Sequence, residues 1–137
     1  MRALLDEILR EEELKKLAEA VEKGACPAVV SGLGSAQRAA AAAALAEKTG
    51  IGVCVICSEE QEALRVAADM RVLTGRPIEL ITEREPVFYQ VLGASRKQEQ
   101  DRLTAFHRIQ TGQTAAAVAT VGGLLLRTLP PEDLPLP

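Results

Sequence analysis

Residues 27–57 read PAVVSGLGSAQRAAAAAALAEKTGIGVCVIC, and their pattern decides the fold class. Ala28, Val29 and Val30 make a short apolar run that meets a glycine loop, Gly32-Leu33-Gly34-Ser35. The loop opens an alanine-rich stretch over about residues 36–48, closed by Thr49 and Gly50, and a second apolar run follows at residues 53–57. Strand, loop, helix, strand is one βαβ unit, with the loop where phosphates are commonly held. The runs lack polar alternation, as expected of strands buried on both faces of a parallel sheet. The alanines at 39–44 let a helix backbone approach that sheet closely.

Composition agrees. The chain has 137 residues, enough for one domain with a sizeable core. Apolar residues make up 47% of it and aromatics only 2%, so the core must be aliphatic, which suits helices on a sheet and disfavours an all-β sandwich. The net charge is −3. Free nucleic acid is met by a basic face with stacking aromatics, and Phe88, Tyr89 and Phe106 are the only aromatics, so autonomous DNA or RNA binding is not expected. Nothing approaches the ~20 apolar residues of a membrane span. No signal peptide is read at the acidic N-terminus, and a cytoplasmic location is expected.

Outward from the central unit, residues 1–24 read as one amphipathic helix with Leu4, Leu5, Ile8, Leu14, Leu17 and Val21 as its stripe and Gly24 as its stop. On the other side, Ser58 with Gln61 reads as a capping box before a helix that Gly75 and Pro77 end. A short strand is expected at 78–81, an irregular segment at 82–93, and a helix capped by Ser95 with Gln98 and ended by Gly112. A fourth strand is expected at 115–119, then a turn and short helix at 120–127. The α/β body spans 25–128, and the proline-rich residues 129–137 read as a linker. The fold class is a three-layer α/β domain, a parallel sheet with flanking helices.

The glycine loop has the position of a phosphate loop without its chemistry. In G-x-x-x-x-G-K-[ST] the backbone amides wrap phosphates, the lysine reaches the terminal ones and the hydroxyl holds magnesium. Here Gly32 fills the first position, but Gln37 replaces the second glycine, Arg38 the lysine and Ala39 the hydroxyl residue. Gly32, Gly34, Ser35 and Arg38 make up the degenerate loop. Against the dinucleotide pattern G-x-G-x-x-G, Gly32 and Gly34 match and Gln37 does not, with Glu59 placed where an acid meets a ribose. A tight strand-to-helix turn is expected, with no cofactor; a nucleotide- or dinucleotide-binding module using residues 32–38 is the alternative. Cys54 and Cys57 share a C-x-x-C spacing, but residues three apart on a strand point to opposite faces, and His107 is the only histidine. Both are expected to be buried structural thiols, and with Cys26 the three cysteines make an odd count without a framework. Arg84, Arg96, Lys97 and Arg102 flank the irregular segment that holds Phe88 and Tyr89. Arg84, Phe88, Tyr89, Arg96 and Arg102 are the candidates for interdomain or partner contacts, set against core packing for the aromatics and a solvated rim for the arginines.

The segment REPVFYQVLGASRKQEQDRL, followed by an apolar strand and ATVGGLLLRTLPP, resembles the N-terminal region of the bacterial transcription-repair coupling factor family (Mfd). The resemblance rests on Glu85, Pro86, Val87, Phe88 and Tyr89, on Ser95 leading to Arg102 and Leu103, and on Val118-Ala119-Thr120-Val121 before Leu124, Leu125, Leu129 and Pro130. It extends from about Leu14 to Pro131. That region of the family is similar to the first domain of the excision-nuclease subunit UvrB, a helicase-like domain, here with a degenerate phosphate loop.

The resemblance implies a scaffold with no catalysis of its own. The family's full protein is an ATP-dependent DNA translocase that binds stalled RNA polymerase and recruits excision repair through UvrA. The resemblance places the motor and the polymerase-binding module elsewhere in that polypeptide, and UvrA contacts mostly on a small following domain. The chain is accordingly expected to be a fragment whose direct partners are other domains of its parent. RNA polymerase and DNA would be reached only through the full-length protein, and no membrane is involved. UvrB's aromatic damage-probing hairpin has no counterpart, because Phe88 and Tyr89 stand alone.

Overall fold

The computed structural model describes residues 2–83, 92–128 and 130–133. Three of the apolar runs form strands: β1 (Val53–Cys57), β2 (Ile78–Ile81) and β3 (Ala116–Thr120). They make one parallel sheet in the order β1-β3-β2, with Val53 and Ile78 both in register with Ala116. The last run fills the centre, and all five of its residues are buried.

The crossovers explain that order. Helix α4 (Glu60–Thr74) carries the chain from β1 past the β3 position to β2, and α5 (Leu92–Gln110) returns from β2 to β3. The two connections run in opposite directions, so right-handed crossovers require the helices on opposite faces. Strand alternation shows that they are. Ile78, Ala116, Val118 and Cys57 share one core cluster with Ala63, Val66, Ala67 and Met70 of α4. Glu79, of opposite parity, instead accepts from Arg108 of α5 at 3.4 Å. Helix α3 (Ser35–Thr49) lies on the face of α4, with Ala39, Ala43 and Ala44 fully buried in the same cluster. Small side chains here allow close helix–helix approach. Gly50 and Gly75 end α3 and α4 with φ of +64° and +63°, and their N–H groups donate to Ala46 O and Arg71 O.

Several expectations change. The N-terminal amphipathic stretch is two helices, α1 (Arg2–Ile8) and α2 (Glu12–Glu22). The stripe passes from Ile8 to Leu14 across Glu11, Glu12 and Glu13 and so misses a turn. Arg10 N and Glu11 N close the first helix on Glu7 O and Ile8 O, and Leu5 plugs into the core. Ser58 does not cap α4; the helix follows Glu59, which makes no side-chain cap bond. Ser95 does not cap α5 either, since it lies inside a helix that begins at Leu92. The cap that does form was not anticipated: Thr120 Oγ1 accepts from Gly123 N at 3.1 Å and starts α6 (Val121–Leu125). A short 3-10 turn, Pro131–Asp133, lies in the tail read as a linker.

The largest correction concerns residues 28–31. They form no strand, and Val29 is 93% exposed. A strand requires a paired neighbour, which local apolar composition does not provide. The βαβ unit of the central stretch therefore lacks its first strand in this arrangement. Among the described residues, no helix is long and apolar enough to cross a membrane.

Candidate functional site

The glycine loop leads into the N-terminus of α3. Gly32 has φ +81°, a left-handed conformation that glycine adopts without strain, while Gly34 is extended at φ −69° and ψ 170° and stands as the N-cap. A helix N-terminus offers free N–H groups to an anion. Here part of that offer is already taken, because Gln37 Oε1 accepts from Gly34 N at 2.8 Å. Arg38 turns away from the loop and donates through Nη1 to Glu62 Oε1 of α4 at 3.4 Å. Ala39 faces the core and is fully buried. The three positions that depart from the phosphate-loop pattern thus have structural occupations: a cap, an interhelix ion pair and a core contact. Ser35 is exposed at the first turn. Glu59, the ribose candidate of the dinucleotide pattern, is the exposed residue preceding α4.

Behind the ion pair sits Cys57, buried at the carboxyl end of β1. Burial pushes its thiol up, Glu62 pushes it further, and Arg38 opposes both. A thiol that ionises less readily folded than unfolded contributes fully below the unfolded value, about 8.5, and loses that contribution as pH rises through the folded value. The unfolding free energy is therefore expected to decline above about pH 8.5, and Cys57→Ala to flatten part of that decline. Urea midpoints measured from pH 7 to 10 check this; identical slopes for the two proteins would remove Cys57 from the account. Cys54 is exposed, contrary to the expectation that both thiols of the C-x-x-C spacing are buried, and Cys26 is exposed as well. Cys54 is three residues from Cys57 on the opposite face of β1. Among the described residues, no group of three or more His, Cys, Asp or Glu side chains is arranged to hold a metal.

The contact candidates separate. Arg84, Phe88 and Tyr89 lie outside the described residues. Arg96 is exposed on α5. Arg102 is not a solvated rim residue. Its Nη2 donates to Thr128 Oγ1 at 2.9 Å and Leu126 O at 3.3 Å, and its guanidinium lies 5.0 Å from the Phe106 ring centre. It fastens the segment after α6 to α5, and Phe106 stacks against that fastening. The two candidates therefore differ in kind: Arg96 is available to a partner and Arg102 is engaged within the fold.

Sequence reasoning missed a charged groove of about 600 Å³ beside β2, between α4 and α5, lined in part by Arg71, Glu79, Glu83, Asp101 and Arg108. Arg71 donates through Nε and Nη2 to Ile78 O, at 3.2 and 2.7 Å, while Arg108 is paired with Glu79. Both cations thus have partners within the fold. The available signal was Glu79 itself, a lone acid in the apolar run IELI.

No protein-family model, no curated protein and no solved structure matches this chain.

Proposed function

We propose that this chain is a non-catalytic scaffold domain of a transcription-repair coupling factor, the first subdomain of its UvrB-like module. The residues from Glu83 to Leu103 and from Val118 to Pro130 support the family reading. The observation that carries the non-catalytic part is the Arg38–Glu62 pair at 3.4 Å. The cation that would face a terminal phosphate faces a carboxylate, and Gln37 supplies the loop's own acceptor. In this reading the former phosphate loop is a turn that sets α3 against α4. The domain's work is to present its neighbours, including the UvrA-binding domain that follows in the family.

The test is calorimetric titration of the chain with Mg-ATP and then NAD, to millimolar concentration. No saturable heat and no ATP turnover are expected. Saturable ATP binding, weakened by Gly34→Val, would instead place a nucleotide at residues 32–38. That variant is a clean probe. A Cβ at Gly34 meets only Gln37 Oε1, at 3.5 Å, and φ −69° suits any residue. Saturable NAD binding would favour the dinucleotide alternative. UvrA is expected to bind only a longer polypeptide that carries the following domain; equal affinity for the present chain alone would move that contact here.

A further inference from the structure

Two parts of the chain lack the partners their chemistry calls for. The first is β1. Among the described residues it pairs only with β3, which leaves its other edge open. The sheet face away from α4 is also bare at this strand, where Cys54 is exposed and Ile56 is 58% exposed. An uncovered apolar edge strand is a template for another strand. The second is the segment 27–31, PAVVS. It belongs to no helix or strand, no backbone hydrogen bond among the described residues ties it down, and Val29 and Val30 are 93% and 51% exposed. Adjacent β-branched residues favour a strand, but these have nothing to pair with.

The connection between the two specifies how they would meet. The segment 27–31 feeds α3, and α3 feeds β1. Helix α3 shares its sheet face with α4, which carries the chain from β1 toward β2. Right-handed crossovers on one face must advance in one direction. A strand that enters β1 through α3 therefore arrives on the side of β1 away from β3, and that side is the open edge.

We propose that residues 27–31 close onto the open edge of β1 as a fourth parallel strand, and that the exposed arrangement is the open state of this strap. The closed sheet has the order 27–31, β1, β3, β2. Closure covers the edge of β1 and sets one of the two valines on the face of Ile56. It also carries Gly32 and Gly34 to the carboxyl end of the sheet beside Cys57, the position at which open α/β sheets receive ligands. The strap thus decides whether the glycine loop stands at the sheet end or apart from it. This inference concerns the fold alone and stands whether or not the scaffold reading does.

Cysteine cross-linking in the full chain tests it. Cys54 is kept, Cys26→Ser and Cys57→Ala remove the other thiols, and Ala28→Cys, Val29→Cys, Val30→Cys and Ser31→Cys are made one at a time. Paired parallel strands bring Cα atoms within disulfide range, and successive side chains alternate faces. One alternate pair, 28 with 30 or 29 with 31, is therefore expected to form an intrachain disulfide about tenfold faster than the other pair. Equal rates at all four positions, or no intrachain disulfide, would overturn the proposal. Disulfide-linked dimers alone would give the edge to a second copy of the chain and also overturn it. Hydrogen exchange on the unmodified chain gives an independent reading. Slowed amides within 28–31, returned to free-peptide rates by Ile56→Pro in β1, support closure; free-peptide rates at all four in the unmodified chain refute it.

Discussion

Replacing Met70 by alanine is expected to lower the unfolding free energy by about 2–5 kcal/mol. Met70 and Val118 are the largest fully buried side chains, and Met70 lies on the stripe of α4 that faces the sheet. Many of its buried cluster neighbours are alanine: Ala39, Ala43, Ala44, Ala63, Ala67 and Ala116. A methyl group has no rotamer with which to fill a neighbouring void, so the cavity left by the thioether stays open and its full cost is felt. Domains of this size are commonly stable by about 5–15 kcal/mol, so this one change removes a large share. Met70→Leu, which conserves volume, is expected to cost less than about 1.5 kcal/mol. Leu125→Ala, at a side chain 79% exposed, is expected to stay within about 0.5 kcal/mol. Urea unfolding of the three variants is the measurement. A Met70→Ala cost no greater than that of Leu125→Ala would show that the core does not centre on α4.

The sequence revealed most where a local signal and a non-local partner coincide. Residues 53–57, 78–81 and 115–119 were legible as strands because apolar runs bounded by turn residues have few other uses, and all three found neighbours. The glycine stops at Gly50, Gly75 and Gly112 were legible for a local reason: each sits at positive φ. Residues 28–31 carry the same kind of signal as 53–57 and form no strand, because pairing is not a local property. Ser58 and Ser95 illustrate the opposite failure. A serine followed three residues later by glutamine satisfies the capping-box spelling, but where a helix begins is also set by the packing of its apolar stripe. Cys54 was misjudged because burial on both faces needs a helix over each, and β1 is covered on one.

The candidate loop divides along the same line. That Gln37, Arg38 and Ala39 depart from the phosphate-loop pattern was visible from residue chemistry. What they do instead was only partly visible. Gln37 capping Gly34 is a three-residue interaction, whereas Arg38 meets Glu62 from a separate helix. Arg102 was read as solvated for the same reason, since Thr128 and Leu126 lie far along the chain. Charged side chains carry little information about their partners in a single sequence, because several arrangements satisfy them equally well.

The pair Gly122 and Gly123 separates two reasons for a glycine, and the contrast between them is the second large expected effect. In sequence both belong to one turn-like motif, TVGGLLLR. In the fold both are helical, and neither holds a positive φ. A Cβ at Gly123 would stand 2.5 Å from Ile81 O and 2.9 Å from Thr82 C, which are backbone atoms at the end of β2. Backbone cannot swing aside, so Gly123→Ala must push α6 off the sheet and strain the Gly123 N to Thr120 Oγ1 bond that starts the helix. The expected cost is about 1–3 kcal/mol. A Cβ at Gly122 would collide with Glu83, but there the obstacle is an exposed, flexible side chain. Glu83 can rotate into solvent, and alanine is favoured over glycine within a helix by about 1 kcal/mol. Gly122→Ala is therefore expected to be neutral or slightly stabilising. Thermal unfolding of the two variants side by side decides the matter, and equal losses would mean that α6 does not press on the end of β2.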